Sequence, residues 1–299
     1  MSRLVARFGV PALTVLALAG CGSSSSSSTT ATSASTITSA INPSVAALVP
    51  SAIKSKGALT VAADASYAPN EFIAPDGHTV IGMDPDLMQA LGGLMGLKVN
   101  IVNATFSTII PGLAAGKYDV GASSFTDTKE RQKTVDFVTY FNAGVSFYAK
   151  SSSNPPVKTV EDLCGKTVSV EKGTTEQEEA TAQNGKCTKA GKKGVTVLAY
   201  PDQNGANLAI SSGRAELGMA DSPVADYQVK QSNGQFKLIG ETYGTAPYGL
   251  AVPKGTGMTA PLLAGLKVLI ANGEYMKILE KWGVQAGAIT TPMINGAKS

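Results

Sequence analysis

The sequence predicts an α/β protein, a mainly parallel sheet flanked by helices, arranged as two lobes. Three observations carry this. From Ala58 onward, short apolar runs of strand length alternate with runs of helical spacing, the pattern of a parallel sheet covered by helices. Thirty-two glycines and only 16% charged residues suit an ordered α/β body with many turns better than a helical bundle. The 299 residues, 43% of them hydrophobic, exceed what one core usually supports.

The first segment concerns address rather than fold. Arg3 and Arg7 precede the apolar run Phe8 to Ala19, which reads as a secretory signal because it is too short to span a bilayer comfortably. Without residues 1–20 the chain holds 23 basic against 22 acidic residues, and that balance argues against a nucleic-acid partner. The run closes on Leu18-Ala19-Gly20-Cys21, which resembles the lipobox of bacterial lipoproteins. The resemblance implies a signal peptide over 1–20, cleavage before Cys21 and a lipid on its thiol that anchors the protein in the membrane. Gly22 to Ala40 is almost entirely serine, threonine and alanine, too polar to offset its ordering entropy, so 21–45 reads as a flexible linker and the folded part is expected from about Ala46.

A helix over Pro50 to Lys56 leads into the strand Ala58 to Ala63, which stops at Asp64. Polar residues just after a strand lie where open α/β sheets place ligands, so Asp64 and the following Tyr67-Ala68-Pro69-Asn70 are candidates. His78, the only histidine, sits in a Pro-Asp-Gly turn and reads as solvated. A helix follows with Asp84 as its expected cap and Pro85 at its first position. The strand Lys98 to Val102, Phe106 and the run Ile109 to Leu113 come next, and then the strand Val120 to Ala122.

That strand runs into Ser123-Ser124-Phe125-Thr126-Asp127-Thr128-Lys129-Glu130-Arg131. Hydroxyls ahead of a planar five-donor guanidinium at a helix start fit a small carboxylate. Asp127 and Glu130 equally make a capping box, with Arg131 simply solvated.

Asn142 to Ala149 is extended and places a first crossover into a second lobe. There the strand Thr167 to Val170 meets Gly173-Thr174-Thr175-Glu176, a glycine turn with a hydroxyl cap and free amides. Further on, Val195 to Tyr200 is a strand, Ala206 to Ser212 a helix, and Asp221 ends another strand ahead of Ser222-Pro223. Asp221 is either a ligand group or the cap of the next helix. Thr242 to Val252 is the second crossover, and the spacing from Leu262 to Trp282 is helical. The expected division is lobe 1 over 46–144 and 247–299, and lobe 2 over 145–246. With Cys21 lipidated, Cys164 and Cys187 are the remaining thiols and are expected to pair, since exported cysteines normally do. Without a histidine or second pair they do not complete a metal site, so neither metal nor cofactor is expected.

The succession Leu59-Thr60-Val61, Tyr67-Ala68-Pro69, Gly82 to Leu87, Ile110-Pro111-Gly112-Leu113, Gly116-Lys117-Tyr118-Asp119 and Thr128 to Arg131 resembles the family 3 extracellular solute-binding proteins, which deliver amino acids to ABC importers. The resemblance spans about Ala58 to Gln285 and implies the two-lobed periplasmic-binding-protein type II fold, with two hinge strands. It implies that Arg131, with Thr126, holds the ligand's α-carboxylate and that Ser124 touches its α-amino group, Phe125 lying between the two. Tyr67 and Phe106 become aromatic walls and Asp64 faces the ligand side chain. Across the cleft, Thr174, Thr175 and Glu176 contact the ligand and Asp221 pairs with its α-ammonium. Asp64 and Glu176 lean towards a basic or amide side chain. The expected function is binding of a free polar or basic L-amino acid outside the membrane, as a lipid-anchored monomer serving the permease and ATPase of an importer. The rival classes are an enzyme on the same fold, dehydratase-like, and a sensor without a transport role. No Gly-x-Ser-x-Gly and no group of metal-binding histidines supports the enzyme.

Overall fold

The computed structural model describes residues 39–297. The expected signal, the lipidation site Cys21 and the linker as far as Thr38 lie outside the described residues. Packing begins before Ala46. Ser39 Oγ donates to Glu274 at 2.8 Å, and Asn42 caps helix α1 (Pro43–Leu48) by accepting from the amides of Ser44 and Val45. Asn-Pro is a good helix start, but in the sequence it is hidden behind the serine-rich run.

Helix α2 (Ser51–Lys56) feeds strand β1 (Ala58–Ala63). Strands β2 (Ser66–Tyr67), β3 (Glu71–Ile73) and β4 (Val80–Ile81) form a small antiparallel sheet. Helix α3 (Met83–Met95) is capped by Gly82 rather than Asp84. The amides of Met83 and Asp84 bond the carbonyls of Pro69 and Asn70, which fixes the start two residues early and draws Asp84 inside. Only glycine fits at position 82, because its φ is +141° and a Cβ would stand 2.1 Å from the Asn70 carbonyl oxygen. Strand β5 (Lys98–Asn103), helix α4 (Phe106–Ala114) and strand β6 (Val120–Gly121) complete the first set.

The long strand β7 (Val135–Lys150) carries the chain across. Then come β8 (Thr167–Glu171), α5 (Thr175–Lys189), β9 (Thr196–Tyr200), α6 (Gln203–Ser211), β10 (Leu217–Asp221) and α7 (Ser222–Gln231). The equally long β11 (Phe236–Pro253) returns. The helix expected from Leu262 to Trp282 is broken at Asn272-Gly273 into α8 (Thr259–Ala271) and α9 (Glu274–Trp282).

The main sheet has the order β5-β1-β6-β11-β7-β10-β8-β9. Strands β5, β1 and β6 are parallel at one end and β10, β8 and β9 at the other. Between them β7 and β11 pair antiparallel from Val135 opposite Pro253 to Lys150 opposite Phe236. This is the two-lobed α/β fold, with helices on a mainly parallel sheet in each lobe. The register of β11 slips between Ile239 and Tyr243 and again between Tyr243 and Ala246, where Gly240 and Gly244 take φ of +67° and +64°. One core gathers β1, α3, α8 and α9 residues such as Leu59, Leu87, Leu266 and Ile278. Another packs Phe147, Val168, Val170 and Leu217. A third joins Tyr67, Phe106 and Phe125 to Tyr148, Ala220 and Val224, so both ends of the sheet contribute to it.

Cys164 and Cys187 are joined in a disulfide with Cα atoms 5.6 Å apart, tying the turn Val160–Leu163 to α5. A cross-link spanning 23 positions removes unfolded-state freedom worth about 3 kcal/mol. Replacing both cysteines by alanine should lower the free energy of urea unfolding by about that amount, and an unchanged midpoint would contradict a stabilising bridge.

Candidate functional site

The segment from Ser123 to Arg131 is held from behind by buried acids. Ser124 takes a left-handed φ of +51°, and its amide donates to Asp84 Oδ2 at 3.0 Å, an atom that also accepts from the Tyr140 hydroxyl at 2.7 Å. The Ser124 hydroxyl accepts from Asn70 Nδ2 at 2.9 Å and lies 3.4 Å from Glu71 Oε2. The Ser124 hydroxyl is thereby occupied by protein partners. Burial pushes the Asp84 carboxyl up to about 6. Burial and the neighbouring Asp84 push Glu71 well above the usual carboxylate range.

The Asp127–Glu130 capping box does not form. Asp127 is buried and accepts from Gln132 Nε2 at 2.7 Å, while the Arg131 amide donates to Thr128 Oγ1 at 3.2 Å. Arg131 opens only a three-residue 3₁₀ turn (Arg131–Lys133), so no helix terminus stands beside it. Its guanidinium is not solvated freely either. Nη1 donates to the Thr126 carbonyl at 2.8 Å and Nη2 reaches the Gly173 carbonyl at 3.0 Å, in the other lobe. The cation lies 5.3 Å from the Phe106 ring centre and 5.6 Å from that of Phe125.

The helix terminus comes from the opposite side. Thr174 caps α5 by accepting from the Gln177 amide, and its hydroxyl donates to the Glu171 carbonyl at 2.9 Å. The first amides of a helix have no partners within it, and Thr175 and Glu176 in that turn line the cavity. Thr175 Oγ1 donates to Glu176 Oε2 at 3.2 Å. Asp221 ends β10 and makes no side-chain cap bond to α7. Burial first, then the charge of Glu176, drives the Asp221 carboxyl well above the usual range, with Tyr248 and Arg131 pulling the other way. Two acids meet there with one guanidinium nearby.

These residues line a small cavity between the lobes. From the first lobe Tyr67, Phe106, Ser124, Thr126 and Arg131 line it, and from the second Thr174, Thr175, Glu176 and Asp221. Tyr67 and Phe106 meet edge to face with ring centres 5.6 Å apart. Two expected residues do not line it. Phe125 stacks behind Phe106 at 4.5 Å. Asp64 is consumed locally, accepting from the Ser66 amide and hydroxyl through Oδ1 and from the Phe106 amide through Oδ2, and so caps α4 instead of facing a ligand. Sequence reading missed Gln203, Met219, Ala220 and Val224. Gln203 stands just after β9, the same strand-end signal used for Asp64. The other three are apolar and carry no signal apart from their closeness to Asp221. The lobes already touch, since the Gln203 amide donates to Ser66 Oγ at 3.1 Å.

Residues 59–285 match the bacterial extracellular solute-binding proteins, family 3. The chain belongs to that family. Arginine-binding protein ArgT of Corynebacterium glutamicum is 35% identical over 254 residues, covering 85% of this chain and 83% of the relative. An ancestral arginine-binding protein solved bound to arginine superposes with a TM-score of 0.70 at 35% identity, covering 76% of this chain and 98% of the other. The ancestral amino-acid-binding protein AncCDT-1, a precursor of cyclohexadienyl dehydratase, superposes with a TM-score of 0.69 at 33% identity, covering 77% and 97%.

The raised carboxyls set the pH behaviour of the family member without ligand. Asp84 ionises at 3.8 when unfolded and at about 6 when folded, so between those values the native state holds the extra proton and stability falls as pH rises. The thermal midpoint of the ligand-free protein should therefore decline from pH 3.8 to about 6, and Asp84→Asn should flatten the decline. A midpoint that rises across this window would contradict the desolvation of Asp84 by burial.

Proposed function

We propose that this solute-binding protein takes up one free polar or basic L-amino acid by cleft closure and hands it to the permease and ATPase of an ABC importer. The observation that carries the reading is the polarity of the cavity. Arg131 and the first turn of α5 offer donors to a carboxylate, while Asp221, Glu176 and the Ser124 carbonyl offer acceptors to an ammonium. Tyr67 and Phe106 flank the space between. A zwitterion neutralises both poles, and only a closed cleft lets one molecule touch both lobes. Lobe 1 is assigned to 46–144 and 247–299 and lobe 2 to 145–246, with the hinge at the register slips of β11 near Tyr243. The arginine-binding C. glutamicum relative and the arginine-bound ancestral protein support a basic ligand.

The protein acts as a receptor and not as an enzyme in this reading, even though one structural neighbour is a dehydratase precursor. The relatives named for binding favour it, and the carboxyls at the cavity serve to neutralise an ammonium. A signal peptide over residues 1–20 and a lipid on Cys21 would hold a monomer at the outer face of the cell membrane. No helix among the described residues is long and apolar enough to cross a membrane.

Leaving either pole buried without its partner costs about 2 to 5 kcal/mol. Arg131→Ala and Asp221→Ala should each weaken amino-acid binding at least about tenfold by calorimetry, and agmatine, which lacks the carboxylate, should not compete with L-arginine. Near wild-type affinity in either variant sinks the assignment. Labelled palmitate should enter the wild-type protein in cells and fail to enter Cys21→Ala.

A further inference from the structure

Arg131 sits on a loop, and both ends of that loop are held by one short segment from the far end of the chain. The segment is reached past Gly287, where a Cβ would stand 2.1 Å from Phe141 Cζ, and residues from 286 onward lie beyond the stretch that matches the family. After the loop, β10 pairs with β7 only from Val145 to Tyr148, so the edge of β7 nearest Arg131 is left to another partner. The tail takes it. The Thr139 amide donates to the Met293 carbonyl at 2.8 Å and the Asn295 amide to the Phe137 carbonyl at 2.9 Å, while Val138 bridges Ile294 antiparallel. Covering a strand edge accounts for those backbone bonds.

It does not account for what the tail does beyond the ladder. Asn295 takes a left-handed φ of +54°, a conformation asparagine tolerates. Its side chain accepts from the Phe137 amide at 2.8 Å and donates to Asp136 Oδ1 at 3.0 Å. Ahead of the loop, Asp127 is buried and accepts from Gln132 Nε2 at 2.7 Å. Burial raises its carboxyl, while Gln132 and then the amides of Gly296 and Ala297 pull the other way, so those two amides stand against the carboxylate. A buried carboxylate needs such donors. The Asp127 amide donates in turn to the Pro247 carbonyl at 2.8 Å. Asp127 directly follows Thr126, whose carbonyl accepts from Arg131 Nη1 at 2.8 Å. The loop from Asp127 to Asp136 is thus gripped before and after Arg131 by residues 293–297.

We propose that this carboxyl-terminal segment is a positioning strap for Arg131. Through Asn295 and the amides of Gly296 and Ala297 it fixes both ends of the loop, so that the guanidinium is held on the Thr126 carbonyl and presented to the ligand's carboxylate. No residue of the strap lines the cavity, and its effect on binding passes through Arg131. The inference rests on the reading of Arg131 as the group that holds the α-carboxylate.

A double-mutant cycle read by calorimetry with L-arginine tests this. Asn295→Ala should weaken binding about tenfold, but in an Arg131→Ala background the same change should cost less than about twofold. Ser39→Ala, which breaks a hydrogen bond to Glu274 that does not touch the loop, should lower the thermal midpoint and keep affinity within about twofold. Hydrogen exchange on the unaltered protein supplies an arm that needs no variant. L-arginine should slow exchange of the peptide carrying Gly296 and Ala297 by more than about tenfold. Affinity kept within about twofold in Asn295→Ala, or the same loss with and without Arg131, overturns the strap and leaves the amino-acid reading standing. Tail exchange unchanged by ligand overturns it even where Asn295→Ala folds poorly. Arg131→Ala binding L-arginine as tightly as the wild type overturns the carboxylate reading and the strap together.

Discussion

The antiparallel ladder of β7 and β11 is the constraint on which everything else hangs. Each strand belongs to both lobes, so the parallel sets β5-β1-β6 and β10-β8-β9 are joined edge to edge through continuous backbone hydrogen bonds. Such a joint resists shear but bends where pairing is interrupted. The interruptions lie between Ile239 and Tyr243, between Tyr243 and Ala246 and between Tyr248 and Gly249, away from the ends of the ladder. Closure can then move the α5 turn and Asp221 against Arg131 without disturbing either core, because each lobe carries its own buried cluster. The mixed cluster of Tyr67, Phe106 and Phe125 with Tyr148, Ala220 and Val224 is the one that depends on closure.

Around this joint the protein stores acids that ordinary folding logic would avoid. Glu71 and Asp84 lie behind Ser124, Asp221 meets Glu176, and Glu171 shares its region with Asp64 and Asp202. A buried carboxyl either keeps its proton or finds a cation. Asp84 accepts from the Ser124 amide and the Tyr140 hydroxyl, and its task is to fix the strained loop that presents Thr126 and Arg131. Glu176 and Asp221 line the space between the lobes.

Much of this was legible in the sequence. The alternation of strand and helix patterns gave the parallel halves, the two extended runs gave the crossovers, and strand-end acids and hydroxyls marked Thr174, Glu176 and Asp221. Arg131 stood out by its chemistry, but its surroundings did not. The expected helix at Arg131 is a single 3₁₀ turn, because Asp127 is drawn inward to Gln132 and cannot cap. Asp64 misled for a related reason: a strand-end acid meets ligand or caps the next helix according to where its side chain turns, and here it turns to the Phe106 amide. Asp84 was taken for a cap because local order cannot reveal that Gly82 must pass against Asn70.

The first lobe is not finished by the residues that begin it. Ser39 waits for Glu274, and Asp86 accepts from both Lys281 and Trp282, partners nearly 200 positions downstream. The strands and helices between β7 and β11, by contrast, come from one unbroken stretch, with their own disulfide. A chain emerging amino-terminus first can therefore assemble its second lobe while the first still lacks its closing helices α8 and α9. The return of the last fifty or so residues to the first part of the sheet is a loop closure of long contact order. Until that return, the edge of β6 and the apolar face of α3 stand uncovered, and they are the surfaces a chaperone or a neighbouring chain would meet first.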